Sequence, residues 1–183
     1  MRRVLDLLRD IKGSTAVEFA LVGALFITAL LFTMVVAQLL YFNQQLDFAT
    51  EQASRQIIVG RAQSQSPPVS LASFTTALCE YLPAAMSCDD VIVNLYVVNK
   101  AAQPGGYYAY ANSDMSGLKL PTLTAGGGQF NLGTSGDYQY LQVIYPVTFV
   151  PALLTDWLSS GTTYKGKAAY LIVSTAAFRN EQF

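Results

Sequence analysis

The sequence contains no histidine, and this absence excludes several classes of active site. Ser-His-Asp and Cys-His arrangements need an imidazole as general base, and a His-Glu-x-x-His zinc site needs two of them. The glycine-rich stretches lack the Gly-x-x-x-x-Gly-Lys-Ser/Thr pattern of a phosphate-binding loop. The adjacent pair Asp89-Asp90 lacks the alternating spacing of a calcium loop. We therefore expect no catalytic residue, no metal site and no cofactor, with a hydrolase built on two carboxylates as the remaining enzyme class.

Charged side chains are scarce as well, at 13% of the 183 residues, about half of the usual share in soluble domains. Most of this deficit lies in one segment, Phe19–Leu46, which contains no charged residue. The formal net charge is −1. Because no basic patch accompanies it, nucleic acid is not expected as a partner.

The uncharged segment predicts a membrane-spanning helix. Its apolar part, Phe19–Phe42, has about 24 residues, enough to cross about 30 Å of hydrocarbon. Residues 1–13 carry four basic and two acidic side chains, so their net charge is 4 − 2 = +2. The rest of the chain carries 7 − 10 = −3. The positive-inside rule then places the N-terminus in the cytoplasm and the C-terminal domain across the membrane, although Arg55 and Arg61 near the far end of the helix oppose this weakly.

One carboxylate, Glu18, stands just inside the apolar segment, where an acidic residue is costly and marks a functional hypothesis. Thr15 and Glu18 fit a capping box that would start the helix at this point. That interpretation does not explain why a glycine, Gly13, stands between a basic leader and Ser14. The pattern of glycine, four residues, glutamate and an apolar helix resembles the processing site of type IV pilins. This resemblance implies cleavage after Gly13, with Ser14 as the new N-terminus and Glu18 as its fifth residue.

Two stripes of side chains run along the predicted helix. Small residues that would let a neighbouring helix approach closely recur on one face of its first half; they are Ala16, Ala20, Gly23 and Ala24. An apolar stripe continues beyond the membrane at spacings of three and four; it consists of Phe42, Leu46, Ala49, Ala53 and Ile57. Gly60 is a predicted helix end. We therefore predict one helix over residues 14–60, transmembrane in its first half and docked on a head domain in its second.

The head, residues 61–183, is predicted to be a small α+β domain. A linker or turn at 61–70 precedes a short helix at 71–81, for which Ser70 is the N-cap. Three runs of strand-forming residues then predict an antiparallel sheet; they are 91–98, 138–150 and 168–178. Pro146 indicates that the second strand lies at an edge or contains a bulge. A helical turn is expected at 151–161, which includes Trp157.

The two cysteines are Cys79 and Cys88. An even number of cysteines in a domain outside the cytoplasm favours a disulfide, and two buried thiols are the alternative. A long segment rich in glycine and tyrosine separates the first two strands, at 99–136. Its tyrosines Tyr107, Tyr108 and Tyr110 either form a binding surface or pack over the sheet, and we favour packing.

Several of these features together resemble TadE-like proteins, the minor pilins or pseudopilins of the bacterial Tad (Flp) tight-adherence pilus. The opening at 13–21, Gly-Ser-Thr-Ala-Val-Glu-Phe-Ala-Leu, resembles theirs, and so does the spacing of the two cysteines before a strand. The ending at 178–183 resembles their Arg-Asn-Glu tails, except that Gln182 stands where a proline is common.

The resemblance implies insertion in the inner membrane, cleavage by a prepilin peptidase after a leader at 1–13, and assembly with other minor and major pilins through the helix. The resulting protein would be a single-pass membrane protein with a periplasmic head, used in pilus assembly and adherence and incorporated in an extracellular pilus. One alternative is an uncleaved, membrane-anchored binding protein whose head recognises an envelope partner or surface. Another is a secreted domain released after Ala37, since Val35-Val36-Ala37 is a weak signal-peptidase site.

Overall fold

The structure is a computed structural model that describes residues 11–98, 107–114, 116–151, 154–155 and 162–181, with the backbone alone at 11–14 and 107–108. The chain forms two compact units that divide between Leu40 and Tyr41. Helix α1 runs from Ile11 to Ile58. Its second half therefore belongs to the same compact unit as the sheet.

Helix α1 extends N-terminally beyond its predicted start. Since the helix already includes Ile11, Thr15 is an interior residue and not an N-cap, so the capping-box interpretation is wrong for the uncleaved chain. At the other end, Gly60 has φ 74°, a left-handed conformation that glycine adopts without steric cost. The predicted helix end is confirmed. Helix α2, Arg61–Ser64, follows immediately where a linker was predicted, and its Ala62 is fully buried.

The described part of the head contains the strands β1 Ile92–Val98, β2 Tyr138–Val147, β3 Thr163–Tyr164, β4 Lys167–Ala168 and β5 Tyr170–Arg179. The main sheet is antiparallel with the order β1-β2-β5, which confirms the α+β class and the three-stranded sheet. The expectation that Pro146 places β2 at an edge or in a bulge is wrong. Strand β2 is central, and its pairing with β5 runs without interruption. However, pairing with β1 stops at Ile144, so Pro146 lies where β2 has a neighbour on one side, a position that tolerates proline.

One face of the sheet packs against the second half of α1. All five residues of the predicted apolar stripe are buried; they are Phe42, Leu46, Ala49, Ala53 and Ile57. The ring of Phe42 meets the ring of Tyr145 edge to face, with centroids 6.2 Å apart. The docking predicted from the amphipathic pattern is thus confirmed. Phe149, predicted on the same strand, lies beyond the end of β2 and is 46% exposed.

The opposite face is covered by the β3–β4 hairpin. Ile92 and Ile144 form a buried cluster there with Tyr164 and Ala169. The predicted third strand began at residue 168, but the structure ends β4 at Ala168 and begins β5 at Tyr170. Between them, the Ala169 N–H donates to the Thr162 carbonyl at 2.9 Å and so continues the β3–β4 pairing. The strand was therefore predicted as continuous where the structure has β4 and then β5.

The segment 99–136 was predicted as one long loop, but its described residues contain local regular structure. A 3-10 turn forms at Tyr107–Tyr110. The stretch 129–131 lies along the outer edge of β1: the Leu95 N–H donates to the Gln129 carbonyl at 2.7 Å, and Asn131 N–H donates back to Leu95 at 3.1 Å. Gly128 enables this approach, because a Cβ there would collide with the carbonyl oxygen of Val93.

Helix α3, Leu71–Cys79, begins at the predicted cap. The Ser73 N–H donates to Ser70 Oγ at 3.3 Å and the Ser70 N–H donates to Ser73 Oγ at 2.9 Å, a reciprocal capping box. The helix ends two residues before the predicted Tyr81. The disulfide Cys79–Cys88 is present, with Cα atoms 5.8 Å apart, and it ties α3 to the 3-10 turn Cys88–Asp90 that precedes β1.

The helical turn expected at 151–161 is described only at Leu154 and Thr155, which are helical. Both of their N–H groups donate to the Pro151 carbonyl, at 2.9 and 3.1 Å. Trp157 lies outside the described residues.

Candidate functional site: the first half of the N-terminal helix

The first half of α1 exposes an apolar surface too large for a water-soluble helix. Within Thr15–Ile58, an 18-residue window reaches a mean hydropathy of 2.6, and none of that window is buried by the rest of the chain. Phe19 is 79% exposed and Leu25 is 73% exposed. A surface of this kind needs lipid or other protein to cover it. The helix is thus a membrane anchor by length and composition, and the head follows it.

The hydroxyl groups within this apolar surface are satisfied inside the helix. Thr28 Oγ1 donates to the Ala24 carbonyl and Thr33 Oγ1 donates to the Ala29 carbonyl, both at 2.8 Å. Polar side chains in hydrocarbon need such internal partners, because water is not there to bond them. These threonines therefore add little to the cost of inserting the helix.

The helix brings the four small residues together. At 100° per residue, Ala16, Ala20, Gly23 and Ala24 fall within an arc of about 100°. A Cβ placed on Gly23 would meet no atom within 4 Å. Packing inside this chain therefore does not require glycine at that position, whereas close approach of another helix would use it.

The same geometry separates Glu18 from the small residues. By the 100° rotation per residue, Glu18 lies about 170° from the centre of their arc. Both features are predicted to take part in assembly, and the helix places them on different sides. A helix that packed on the small residues would therefore face away from Glu18.

The predicted processing residues Gly13 and Ser14 lie within the first turn of α1. Glycine costs roughly 0.5–1 kcal/mol relative to alanine in the middle of a helix, which is an upper bound for its cost in the first turn. Gly13 thus makes the start of α1 easier to unwind than the apolar helix that follows.

The surface of α1 in the head unit has a different character. Arg55 Nη2 lies 3.0 Å from Glu51 Oε1, an exposed i,i+4 ion pair. Such pairs contribute about 0.3–0.5 kcal/mol. This part of the helix is therefore solvated on one side and docked on the sheet on the other.

Residues 13–55 match the model of the TadE-like protein family. The match starts at Gly13 and ends at Arg55, so it spans the transmembrane half of α1 and most of its docked half. The resemblance seen in the sequence is confirmed over this helix. No curated protein and no solved structure matches the chain. TadE-like proteins are structural proteins. Separately, the described residues of this chain contain no group of three or more metal-binding side chains.

A cluster of polar and aromatic side chains lies on the sheet face away from α1, and it was not predicted from the sequence. The pairing register sets Asn94 opposite Gln142 and Tyr96 opposite Tyr140, and Tyr110 stacks on Tyr140 with ring centroids 4.7 Å apart. The packing favoured for Tyr110 is therefore confirmed, while the side chains of 107 and 108 lie outside the described residues. The available signal was the polar and aromatic alternation within each strand.

Burial makes these tyrosines harder to ionise. It raises the pKa of Tyr96 and of Tyr110, and it is the largest cause of the raised pKa of Tyr140. Their mutual proximity adds to the effect for Tyr110 and Tyr140, because one phenolate disfavours another. The cluster is thus neutral at physiological pH.

Proposed function

We propose that this chain is a minor pilin, or pseudopilin, of a Tad (Flp) pilus. The observation that carries the proposal is an unburied apolar helix, matching the TadE-like family, in which Glu18 follows Gly13 by five residues. The helix anchors the protein in the bacterial inner membrane. The basic leader stays in the cytoplasm and the head lies in the periplasm, as the charge difference favours.

A prepilin peptidase then cleaves the chain between Gly13 and Ser14. Because α1 already includes this bond, the first turn has to unwind before a peptidase can bind it in an extended form, and Gly13 lowers the cost of unwinding. Gly13→Leu is expected to leave an uncleaved precursor in the membrane.

Cleavage creates a charge that Glu18 can bind. The new α-amino group of Ser14 is protonated at neutral pH, since its usual pKa is about 7.7–8.0. Ser14 and Glu18 are one turn apart on the same face of the helix, so they can pair within one subunit. In a pilus, the amine of one subunit can instead pair with Glu18 of another, where the low dielectric strengthens the attraction.

Assembly then uses two sides of the helix. One neighbouring pilin packs on the small residues Ala16, Ala20, Gly23 and Ala24, while Glu18 on the opposite side binds another. A subunit with two separate helix contacts can occupy a position inside a filament as well as at its end.

The mature N-terminus tests processing most directly. Intact mass and N-terminal sequencing of the membrane-extracted protein are expected to give Ser14. A start at residue 1 or 2 would identify an uncleaved membrane-anchored binding protein, and a start at Gln38 would identify a secreted domain. Either result overturns the pilin proposal.

Glu18→Gln tests assembly separately from processing. The variant keeps the shape of the side chain and removes its charge, so we expect normal insertion and cleavage but poor co-purification with partner pilins. Glu51→Gln is the matched control, because it makes the same change on the same helix at an exposed ion pair. If Glu18→Gln co-purifies as well as this control, the charge has no role in assembly.

A further inference from the structure

Two clefts open on the sheet face away from α1, on either side of Tyr96 and Pro121. One has a volume of about 590 Å³ and is lined by Asn94 and the turn at 127–129. The other has a volume of about 230 Å³ and is lined by Tyr110 and Gln142. Together they form a trough along the β1–β2 pair, and nothing in the pilin proposal uses it.

Each cleft has a buried amide whose N–H₂ group finds no partner among the described residues. Asn94 and Gln142 are each only 1% exposed, and they are register partners across β1 and β2. Asn94 Oδ1 accepts from the Gln129 N–H at 3.1 Å, which fixes the orientation of that amide. In the described part of the chain, Asn94 Nδ2 and Gln142 Nε2 have no hydrogen-bond partner. Leaving a buried donor unpaired costs about 1–3 kcal/mol, so these groups need an explanation.

Aromatic rings stand next to the two amides. The ring of Tyr110 lies 4.7 Å from that of Tyr140 and 5.0 Å from that of Tyr96. All three rings are partly exposed. Burial raises the pKa of Tyr140, and the Gln142 amide lies close enough to its hydroxyl to lower that pKa in part. Among the described residues, however, neither Gln142 Nε2 nor the Tyr140 hydroxyl makes a hydrogen bond of ordinary geometry. A tyrosine face offers an apolar surface, and its hydroxyl both donates and accepts.

The charge of the trough restricts the class of ligand. Among the described residues that line the two clefts, one is charged, and it is Lys119. The whole chain has a net charge of −1. Phosphate-bearing ligands such as nucleotides need more cationic groups than this. The paired amide donors instead fit neutral oxygen acceptors, and the rings fit a flat C–H surface. A neutral sugar presents both.

We propose that this trough is a carbohydrate-binding site. The amides of Asn94 and Gln142 donate to sugar hydroxyl oxygens, and the Tyr96 and Tyr110 rings pack against the sugar ring. A glycan seated in this way satisfies the two buried donors that have no partner among the described residues. The inference concerns the head alone and does not rest on the pilin proposal.

Saturation-transfer difference NMR on the full chain tests the site. The protein is held in phospholipid nanodiscs, because the sugar headgroups of maltoside detergents would compete. Methyl glucoside, methyl galactoside, methyl mannoside and N-acetylglucosamine are the probes, with adenosine monophosphate for comparison. Signal transfer to at least one neutral sugar and none to adenosine monophosphate is expected. No transfer to any of the sugars, or stronger transfer to the nucleotide, would overturn the proposal.

Two variants of β2 locate the binding. Gln142→Met removes the donor at nearly constant volume and should weaken sugar binding by roughly tenfold without lowering the melting temperature. Gln139→Met is the matched control: Gln139 is equally buried on the other face, and its Nε2 donates to the Leu132 carbonyl at 2.7 Å. This control should lose stability and keep sugar affinity. Unchanged sugar affinity in Gln142→Met would refute the site.

Discussion

Replacing Phe42 by alanine tests whether the second half of α1 is part of the folded core of the head. Phe42 is 4% exposed, and its ring meets Phe149 edge to face at 5.8 Å in addition to Tyr145. Phe48 lies on the same helix, is 50% exposed and contacts Tyr81 with ring centroids 6.2 Å apart. Phe48→Ala is therefore a matched control in which the same atoms are removed from a half-exposed position.

The expected loss follows from burial. Truncating a buried phenylalanine to alanine costs about 3–5 kcal/mol of unfolding free energy, a value that includes the two ring contacts. Burying a whole phenylalanine side chain contributes about 1.5–3 kcal/mol. Because Phe48 is only half buried, Phe48→Ala should lower the unfolding free energy by about 1 kcal/mol. The difference of about 2–4 kcal/mol corresponds to about 30- to 700-fold in the unfolding equilibrium, at 1.4 kcal/mol per factor of ten.

Urea unfolding of the fragment 41–183, followed by far-UV circular dichroism, measures both variants against the parent. This fragment is the compact unit that contains the sheet. Phe42→Ala should shift the midpoint much further than Phe48→Ala, with both retaining a single transition. Equal losses in the two variants would refute the docking of α1 on the sheet. So would equal melting temperatures and equal aggregation of fragments that begin at residues 43 and 61, since the second lacks the apolar stripe.

Three further outcomes are expected. Reduction of Cys79–Cys88 should lower the unfolding free energy by roughly 2.5–3 kcal/mol, which is the loop-closure value for about ten residues. Denaturant titrations with and without reductant measure this loss. Quantitative alkylation of the cysteines in the unreduced protein would contradict the disulfide. Burial raises the pKa of Tyr140 above the ordinary tyrosine value of about 10. The stability held by its neutral form is therefore complete below about pH 10 and is lost as the pH rises through the folded pKa. Thermal melts from pH 9 to about 12 should show that loss, and Tyr140→Phe should reduce it. Gly128→Ala should destabilise the head more than Gly126→Ala, because both have positive φ but only Gly128 approaches the β1 backbone; equal melting temperatures would contradict this.

The sequence alone determined the features whose signal is local. The charge-free segment predicts the membrane helix because about 20 apolar residues span a bilayer whatever follows them. The stripe from Phe42 to Ile57 predicts docking because spacings of three and four place side chains on one face. Gly60 and Ser70 are correctly identified as helix boundaries, since capping depends on neighbouring backbone groups. The Gly13–Glu18 pattern could be recognised for the same reason.

The tertiary structure decided which elements meet. Pro146 was misassigned because its tolerance depends on where β1 begins, at Ile92 opposite Ile144, and not on its own neighbours in the chain. Helix α2 formed in a stretch of loop-like composition because burial of Ala62 in the head outweighs weak local propensity. The amides of Asn94 and Gln142 converge only through the β1–β2 register. No local pattern encodes that pairing, since it is set by the packing of both sheet faces at once.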